Sequence, residues 1–398
     1  MLETGLARRI APGRWREWRT LTWLNPYVRI ALLLLSLRVT LSLFAVVLSF
    51  ALPLLPPCAA ATSVRQAHAA GLGFAVLGVW QRNDACAYEH IADQGYQAGT
   101  SDIAFFPLFP LAMRVMGTLL GGTLTLGGLV VSSLAYIAAA LGLYRLLEED
   151  FNPAVARRAI GYLTAFPTAF FFFAPYTEAL FLALAVWLLY AARRGAWGYA
   201  ALLAILVGLT RAQGSLCALP LAWEFVRQWR QSGKARPPLL AAVVPALPIA
   251  ALAIFWSYGR FSFGISPLDG QRFWGMQTHT PWTVLTASWR QITARGDAIE
   301  ALNLAALCLA GLMLLVGLRR LPFSYICYAA PQLLLLSVRQ NAHTPLMSTS
   351  RLVLVLFPVF VVLALLITGK RTRLLWLAGS GGLLLWLLAA YCYGAFVA

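Results

Sequence analysis

The 398-residue chain contains few charged residues, and acidic residues are the scarcest. Charged side chains make up 11% of it, with 14 acidic and 31 basic residues, whereas soluble domains carry about 25% charged residues. This deficit excludes an ordinary soluble domain. The formal net charge is +17, but most of the Lys and Arg lie in short clusters between apolar runs, as in the cytoplasmic loops of membrane proteins. Nucleic-acid binding is therefore not expected.

Several motifs that would indicate other functions are absent. The chain has no Walker loop, no GxGxxG, no HExxH and no DxD pair that could hold a metal–nucleotide diphosphate. Its six cysteines form no CxxC and no zinc spacing with histidine. Cys58 and Cys86 both fall within residues 53–122, where a disulfide could form in an oxidising compartment. The absence of a DxD pair argues against a cytoplasmic nucleotide-sugar enzyme.

Long apolar runs recur along the whole length, and they predict an all-α polytopic membrane protein with about eleven transmembrane helices. The runs lie near residues 28–52, 123–145, 157–175, 178–192, 197–210, 213–229, 238–258, 299–318, 323–338, 351–368 and 374–396. Residues 1–27, basic and rich in Trp, are expected to lie on the cytoplasmic membrane surface. Residues 28–398 then form a single membrane domain. This arrangement puts the N-terminus and every basic cluster on the cytoplasmic side of the membrane and the C-terminus on the other side.

Two outer segments are long, namely 53–122 and 259–298. Both are rich in Gly, Pro and aromatic residues, and long ordered loops usually carry function. The first is expected to contain short interfacial helices, and its "AFFPLFPL" at 104–111 predicts a turn with structural prolines. The elaborated surface of the protein is therefore expected on its non-cytoplasmic side.

The polar stretch 80–96, "WQRNDACAYEHIADQGY", is amphipathic when it is placed on a helix. Asp84 falls on the apolar stripe with Tyr88, whereas Arg82, Glu89 and Asp93 fall on the opposite side and predict a solvated face. Asp84 is either a tolerated or capping residue of an interfacial helix, or a general base facing a cavity. A carboxylate in apolar surroundings would accept a proton readily, which suits the second interpretation.

Other polar residues lie where apolar runs meet the outer side. Glu178, which follows Tyr176 in "APYTEALF", is either a simple helix start or a second acidic group of the site. Arg211 and Arg351 run against the positive-inside bias, and each could bind a lipid-linked phosphate or simply reach phospholipid headgroups. Further candidates, which could equally belong to loops or an interfacial belt, are Arg272, Trp274, Arg339 and His343.

Five of these motifs occur in an order that resembles one family. "RNDACAYEHIADQGY", "AFFPLFPLAMR", "FPTAFFFFAPYTEALFLAL", "LTRAQG" and "SRLVLVLFPVF" are similar to segments of the GPI mannosyltransferase II (PIG-V-like) family, over roughly residues 80–370. Members are polytopic glycosyltransferases of the GT-C type, and some are bacterial. Asn83 and Ala87 depart from the usual pattern, which has aromatic residues or His there.

The resemblance implies transfer of mannose, with inversion, from a polyprenyl-phosphate donor to a lipid or glycan acceptor on the non-cytoplasmic face. Asp84 would be the general base, and Arg211 and Arg351 would bind the donor phosphate. A phosphate leaving group does not strictly need a metal, so no metal and no cofactor are expected. Arg82, Tyr88, Tyr176, Glu178, Arg272 and Trp274 would support or bind substrate. A bacterial inner membrane is the expected location. The alternatives are a lipid or polyol transporter or flippase, and a GT-C enzyme that uses another polyprenyl-phosphate sugar.

Overall fold

The computed structural model describes residues 25–55, 71–233 and 238–397, and these are mostly helical. The predicted interfacial segment 1–27 therefore lies almost wholly outside the described residues. The first half contains α1 (Pro26–Ala51), α2 (Gly71–Val76), α3 (Asp84–Gln94), α4 (Leu108–Leu119), α5 (Leu124–Asp150), α6 (Pro153–Thr164), α7 (Glu178–Arg193), α8 (Trp197–Gly208) and α9 (Ala218–Ser232). The second half contains α10 (Leu239–Val243), α11 (Leu247–Phe263), α12 (Pro267–Phe273), β1 (Met276–Thr278), α13 (Pro281–Arg295), α14 (Ala298–Gly317), α15 (Phe323–Val338), β2 (Arg339–Asn341), α16 (Thr349–Leu352), α17 (Phe357–Leu366) and α18 (Lys370–Tyr393).

Five helical segments of the described chain are long and apolar enough to cross a membrane. They are α1, α5, Ala241–Phe263, α14 and α18. A sixth span is formed if Thr349–Val355 and Phe357–Leu366, which meet at a bend of 79°, are counted together. The all-α membrane class is confirmed, but the predicted count of eleven full spans is not.

The difference arises because several predicted runs form short helices. The longest of them, α7 and α15, have 16 residues each and rise about 24 Å, less than the roughly 30 Å of a bilayer core. The run predicted at 157–175 ends its helix at Thr164, and residues 165–177 continue as irregular backbone and a short 3₁₀ turn. Such helices do not cross the bilayer by length alone.

The centre of the bundle is α5, which packs against α1, α4, α6 and α7. More than half of the residues in its apolar 18-residue stretch are buried, whereas only 22% are buried in the corresponding stretches of α1 and α18. The contact with α4 requires glycine, since a Cβ on Gly127 would lie 2.5 Å from backbone atoms of Met113 and Gly117. This close approach fixes α4, and α3 packs against α4 in turn.

The segment between α6 and α7 is irregular but fully buried from Phe166 onward. Buried backbone must find hydrogen-bond partners, and here side chains of other elements supply them. Arg38 Nη1 donates to the Phe173 carbonyl at 3.2 Å, and Ser132 Oγ donates to the Tyr176 carbonyl at 3.3 Å. Hydrogen bonds from α1 and α5 therefore fix the position of the segment. They also fix the position of Glu178, the first residue of α7.

Candidate active site

Four irregular junctions meet at one place in the bundle and bring together residues that are far apart in sequence. Asp84 is the first residue of α3, and Glu178 is the first residue of α7. Arg211 precedes a 3₁₀ turn that leads into α9, and Arg351 lies in the short helix α16. Both carboxylates thus lie at helix N-termini, where the helix dipole stabilises negative charge.

These four side chains form a continuous ionic chain. Arg351 Nη1 lies 2.7 Å from Asp84 Oδ2, and Arg351 Nε lies 3.4 Å from Glu178 Oε1. The same Glu178 oxygen lies 3.1 Å from Arg211 Nη1. Arg351 therefore bridges two acidic groups, and Glu178 bridges two arginines.

Solvent access differs along this chain. The side chain of Glu178 is 1% exposed, those of Arg351 and Arg211 are 11% and 13% exposed, and that of Asp84 is 23% exposed. Glu178 is thus a buried link between the two arginines. Asp84 is the carboxylate that a substrate could reach.

Aromatic rings surround the ionic chain and lower the local dielectric constant. The guanidinium carbon of Arg351 lies 5.1 Å from the ring centre of Tyr176 and 5.3 Å from that of Phe171. Tyr88 donates to the Thr177 hydroxyl at 3.4 Å, and its ring contacts that of Tyr176. Charge pairs in such surroundings interact more strongly than they would in water. Tyr88 and Tyr176 accordingly take part in the wall of the site.

The backbone is strained on both sides of the Asp84–Arg351 pair. Asn83 has φ 48° and ψ −123°, and Ser348 has φ 65°; within the described part of the chain these are the only residues other than glycine with positive φ. Such conformations cost about 1–3 kcal/mol each and persist only where the surroundings enforce them. The tyrosine hydroxyl of Tyr176 helps to hold the first one, since it donates to the Arg82 carbonyl at 3.0 Å. Asn83, one of the two departures from the family pattern, thus has a backbone role directly before Asp84.

The side chain of Arg82 points away from the ionic chain. Its Nη2 donates to the carbonyl oxygens of Leu55 and Cys392, both at 2.8 Å, and the residue is 4% exposed. The structure therefore does not place Arg82 with the candidate site residues. It connects the start of α3 to the end of α18.

The prediction that Arg82 and Glu89 face solvent is wrong. Glu89 is 1% exposed and accepts a hydrogen bond of 2.7 Å from Gln81 Nε2, which also donates to Thr125 Oγ1 at 3.1 Å. The face that helical periodicity assigned to solvent lies instead against α5. A single amphipathic pattern could not reveal this second partner.

Glu89→Gln is expected to stabilise the protein at neutral and higher pH. Burial raises the pKa of Glu89 from 4.5 to about 7, although hydrogen bonds from Thr125 and Gln81 oppose the shift. The folded state therefore binds the proton more tightly than the unfolded state, and wild-type stability falls as the pH rises from 4.5 to about 7. Melting curves should give the variant an advantage on the order of 1–3 kcal/mol near pH 8 and a smaller one near pH 5. An equal difference at both pH values would contradict this explanation.

Two predicted residues of the second outer segment lie apart from the ionic chain. The side chain of Arg272 is 68% exposed and lies 3.4 Å from Asp269, which caps α12 through Ser266. Trp274 is 48% exposed and contacts the edge of the Phe105 ring. The structure does not bring either residue to Asp84.

Arg339, in contrast, joins the cluster through a small sheet. Strand β1 pairs antiparallel with β2, with Thr278 opposite Arg339, and Arg339 Nη2 donates to Gln271 Oε1 at 3.1 Å. Its pKa is lowered to about 10, mainly by burial and then by the charges of Arg211 and Arg351, while Asp84 opposes the shift. His343, two residues beyond β2, is exposed.

A disulfide bond holds the first turn of α3. Cys86 is disulfide-bonded, whereas Cys217, Cys308, Cys327 and Cys392 are free. Cys58, its predicted partner, lies outside the described residues. The bond ties the first turn of α3, which begins with Asp84.

A polytopic helical bundle with an accessible carboxylate beside several arginines can take a proton from a hydroxyl and bind an anionic group. The family model for mannosyltransferase (PIG-V) matches residues 21–224, about half of the chain. The protein therefore belongs to the PIG-V mannosyltransferase family, whose members are glycosyltransferases. The matched region contains Asp84, Glu178 and Arg211 but ends before Arg339 and Arg351. No curated protein matches the chain.

Proposed function

We propose that the protein transfers mannose from a polyprenyl-phosphate donor to a hydroxyl group of a lipid or glycan, with inversion at the anomeric carbon. The observation that carries this proposal is the pairing of Asp84 with Arg351 at 2.7 Å within the ionic chain. A carboxylate can accept a proton from a hydroxyl, and the arginines beside it suit an anionic leaving group.

The reaction can be written with the described residues. The acceptor oxygen attacks the anomeric carbon of mannose while Asp84 removes the hydroxyl proton. The bond from that carbon to the phosphate oxygen breaks, and the phosphate keeps the electron pair. The departing polyprenyl phosphate thereby gains negative charge, which Arg211 and Arg351 would stabilise. Attack from the face opposite the leaving group gives inversion.

We also propose that the site faces the non-cytoplasmic side of a bacterial inner membrane, with the N-terminus in the cytoplasm. The basic clusters between the apolar runs support this orientation. The donor class fits the orientation, since a lipid-linked sugar reaches the outer face and a nucleotide sugar does not. Arg193 and Arg194 at the end of α7 and the opposite position of Glu178 at its start agree with this assignment.

The test is transfer by the purified protein in proteoliposomes. Polyprenyl-phosphate mannose, polyprenyl-phosphate glucose and GDP-mannose are offered separately as radiolabelled donors, with a membrane lipid extract as acceptor. We expect labelled product from polyprenyl-phosphate mannose alone, and the anomeric configuration of the product should be inverted by NMR. Transfer from GDP-mannose alone would refute the donor class. Transbilayer movement of labelled lipid without transfer would indicate a flippase.

A further inference from the structure

A charged residue, Arg38, lies in the middle of the candidate span α1. It is the 13th of the 26 residues of that helix, about 18 Å of helix rise from the first residue and about 20 Å from the last. A cation at this depth of a span is costly, and it usually has a functional reason to be there. Among the described residues, its partners are a backbone carbonyl and an aromatic ring, with no carboxylate. These two contacts indicate what the guanidinium does.

The two contacts of Arg38 belong to different segments of the chain. Its Nη1 donates to the Phe173 carbonyl at 3.2 Å, and its guanidinium carbon lies 4.8 Å from the ring centre of Trp80. Both partner residues are fully buried. A planar guanidinium can donate through its edge and cover a ring with its face, which an apolar side chain cannot do. Arg38 therefore links the 3₁₀ turn Gly78–Trp80 to the buried segment 165–177.

Each of these segments leads directly to one carboxylate of the ionic chain. Trp80 lies four residues before Asp84, and Phe173 lies five residues before Glu178. The first connection is a closed turn, since the Arg82 N–H donates to the Trp80 carbonyl at 3.0 Å. A change at either contact of Arg38 would therefore be transmitted along a short, ordered backbone to a site carboxylate.

The separation of the two carboxylates has to be fixed because one guanidinium reaches both. Arg351 lies 2.7 Å from one and 3.4 Å from the other. The two segments are joined at one point by Tyr176, whose hydroxyl donates to the Arg82 carbonyl at 3.0 Å. Arg38 joins them at a second point, earlier in both segments. Two points of attachment restrict rotation of one segment against the other, which a single hydrogen bond does not.

We propose that Arg38 is a positioning residue for the ionic chain: it holds Trp80 against Phe173 and thereby sets the separation of Asp84 and Glu178 that Arg351 bridges. Its effect on mannosyl transfer rests on the proposed function. No hydrogen bond or ion pair joins Arg38 to either carboxylate, so it acts only through the backbone of the two segments. If Arg38 contributed packing alone, its loss would lower the amount of folded protein and leave the rate per folded molecule unchanged.

Arg38→Met is expected to lower kcat for mannosyl transfer about 10–100-fold per folded molecule and to leave KM for the donor unchanged. Methionine fills the apolar space but releases both segments, and a small displacement of a catalytic group reduces turnover. Initial rates in proteoliposomes with polyprenyl-phosphate mannose, referred to the monodisperse protein fraction, measure both constants. Wild-type kcat in folded Arg38→Met would refute the proposal.

The matched control is Arg158→Met. Arg158 is also partly buried, and its Nε donates to the Ala364 carbonyl at 2.9 Å, so methionine removes the same kind of bond between α6 and α17. The control should keep the wild-type kcat. An equal loss in Arg158→Met would show a general structural effect and would overturn the role of Arg38.

Arg38→Lys is a conservative variant that separates the two contacts. Lysine keeps the charge and can donate to the Phe173 carbonyl, but it has no planar face for the Trp80 ring. Its kcat should lie between those of wild type and Arg38→Met, with KM for the donor unchanged. This variant is the test if Arg38→Met does not fold. Wild-type kcat in Arg38→Lys would overturn the link to Trp80 and, with it, the proposal.

Melting temperatures in detergent provide a readout that does not depend on transfer. If Arg38 positions Asp84, the pair of Asp84 with Arg351 is already weakened in Arg38→Met. Asp84→Asn should then cost less in that background, and the double variant should melt at a higher temperature than the sum of the single shifts requires. Arg158→Met combined with Asp84→Asn should give additive shifts. Additive shifts for Arg38→Met with Asp84→Asn would overturn the proposal.

The two experiments distinguish this proposal from the proposed function. Non-additive melting shifts in a protein that transfers no mannose would support the positioning role of Arg38 and refute the proposed function. Mannosyl transfer that Arg38→Met leaves unchanged would support the proposed function and refute the positioning role.

Discussion

Asp84→Asn is expected to lower mannosyl transfer on the order of 10³-fold, because an amide cannot take the proton of the acceptor hydroxyl. The asparagine is nearly isosteric and can still accept a hydrogen bond from Arg351 Nη1, which lies 2.7 Å from the native carboxylate. The ionic chain would keep its link from Arg351 to Glu178. We therefore expect a folded protein that binds donor and turns it over very slowly. Initial rates in proteoliposomes with saturating polyprenyl-phosphate mannose measure this effect.

The matched control for this substitution is Asp297→Asn. Asp297 caps α14 by accepting from the backbone of Ile299 and Glu300 at 3.1 and 3.0 Å, and asparagine caps helices about as well as aspartate. The control should keep wild-type transfer. A pH profile adds a second readout, since the loss in Asp84→Asn should persist as pH rises if the missing group is the base. Near-normal rates in folded Asp84→Asn would remove Asp84 from that role.

The sequence predicted the class of fold because that class depends on composition. Apolar runs and scarce charge require a helical membrane protein whatever the tertiary arrangement. Asp84 and Tyr88, which were predicted to share one stripe of a helix, both lie on α3. The number of membrane spans does not depend on composition in the same way. Hydropathy identifies apolar segments, and it cannot distinguish a full span from a short helix such as α8, with 12 residues, that ends at an internal loop.

The contacts that make the site could not be predicted from spacing. Arg351 and Asp84 are 267 residues apart in sequence, and a single amphipathic pattern reports only that a residue has an apolar or polar neighbour. The same limit explains Arg82 and Glu89, which are charged and buried because other elements supply their partners. The sequence made Arg339 a candidate only because an arginine is unexpected on the outer side. Its lack of a carboxylate partner among the described residues becomes visible only when the positions of Asp84, Glu178 and Gln271 are known.

The short helices and the polar site depend on each other. Glu178, Arg211 and Arg351 each lie where a helix has begun or ended early, and their backbones are irregular within the protein. Such backbone is tolerated at membrane depth only where protein or a cavity surrounds it, and the buried segment 166–177 meets that condition. The loss of full spans is therefore what provides a rigid frame for the ionic chain, since elements fixed on both sides hold side chains more closely than free loops do.

Arg351→Gln is expected to reduce transfer about 10²–10³-fold, the usual cost of removing one donor that stabilises developing negative charge. The substitution removes the group that bridges Asp84 and Glu178, and it leaves two carboxylates with Arg211 as the one partner in the ionic chain. Stability should therefore fall as well, so activity alone cannot separate the two effects. Arg351→Lys keeps the charge but lacks the planar fork that reaches both carboxylates. Its transfer rate should lie between those of wild type and Arg351→Gln.

The double variant Asp84→Asn with Arg351→Gln separates structure from catalysis. It removes both members of the ion pair, so neither charge is left without its partner, and its melting temperature should fall by less than the sum of the two single effects. Transfer should nevertheless stay as low as in Asp84→Asn, because the base is still missing. Stability and activity are thus expected to diverge in one protein. Additive losses of stability would show that the two residues are not coupled, and transfer near the wild-type rate in Arg351→Gln would exclude Arg351 from stabilising the leaving phosphate.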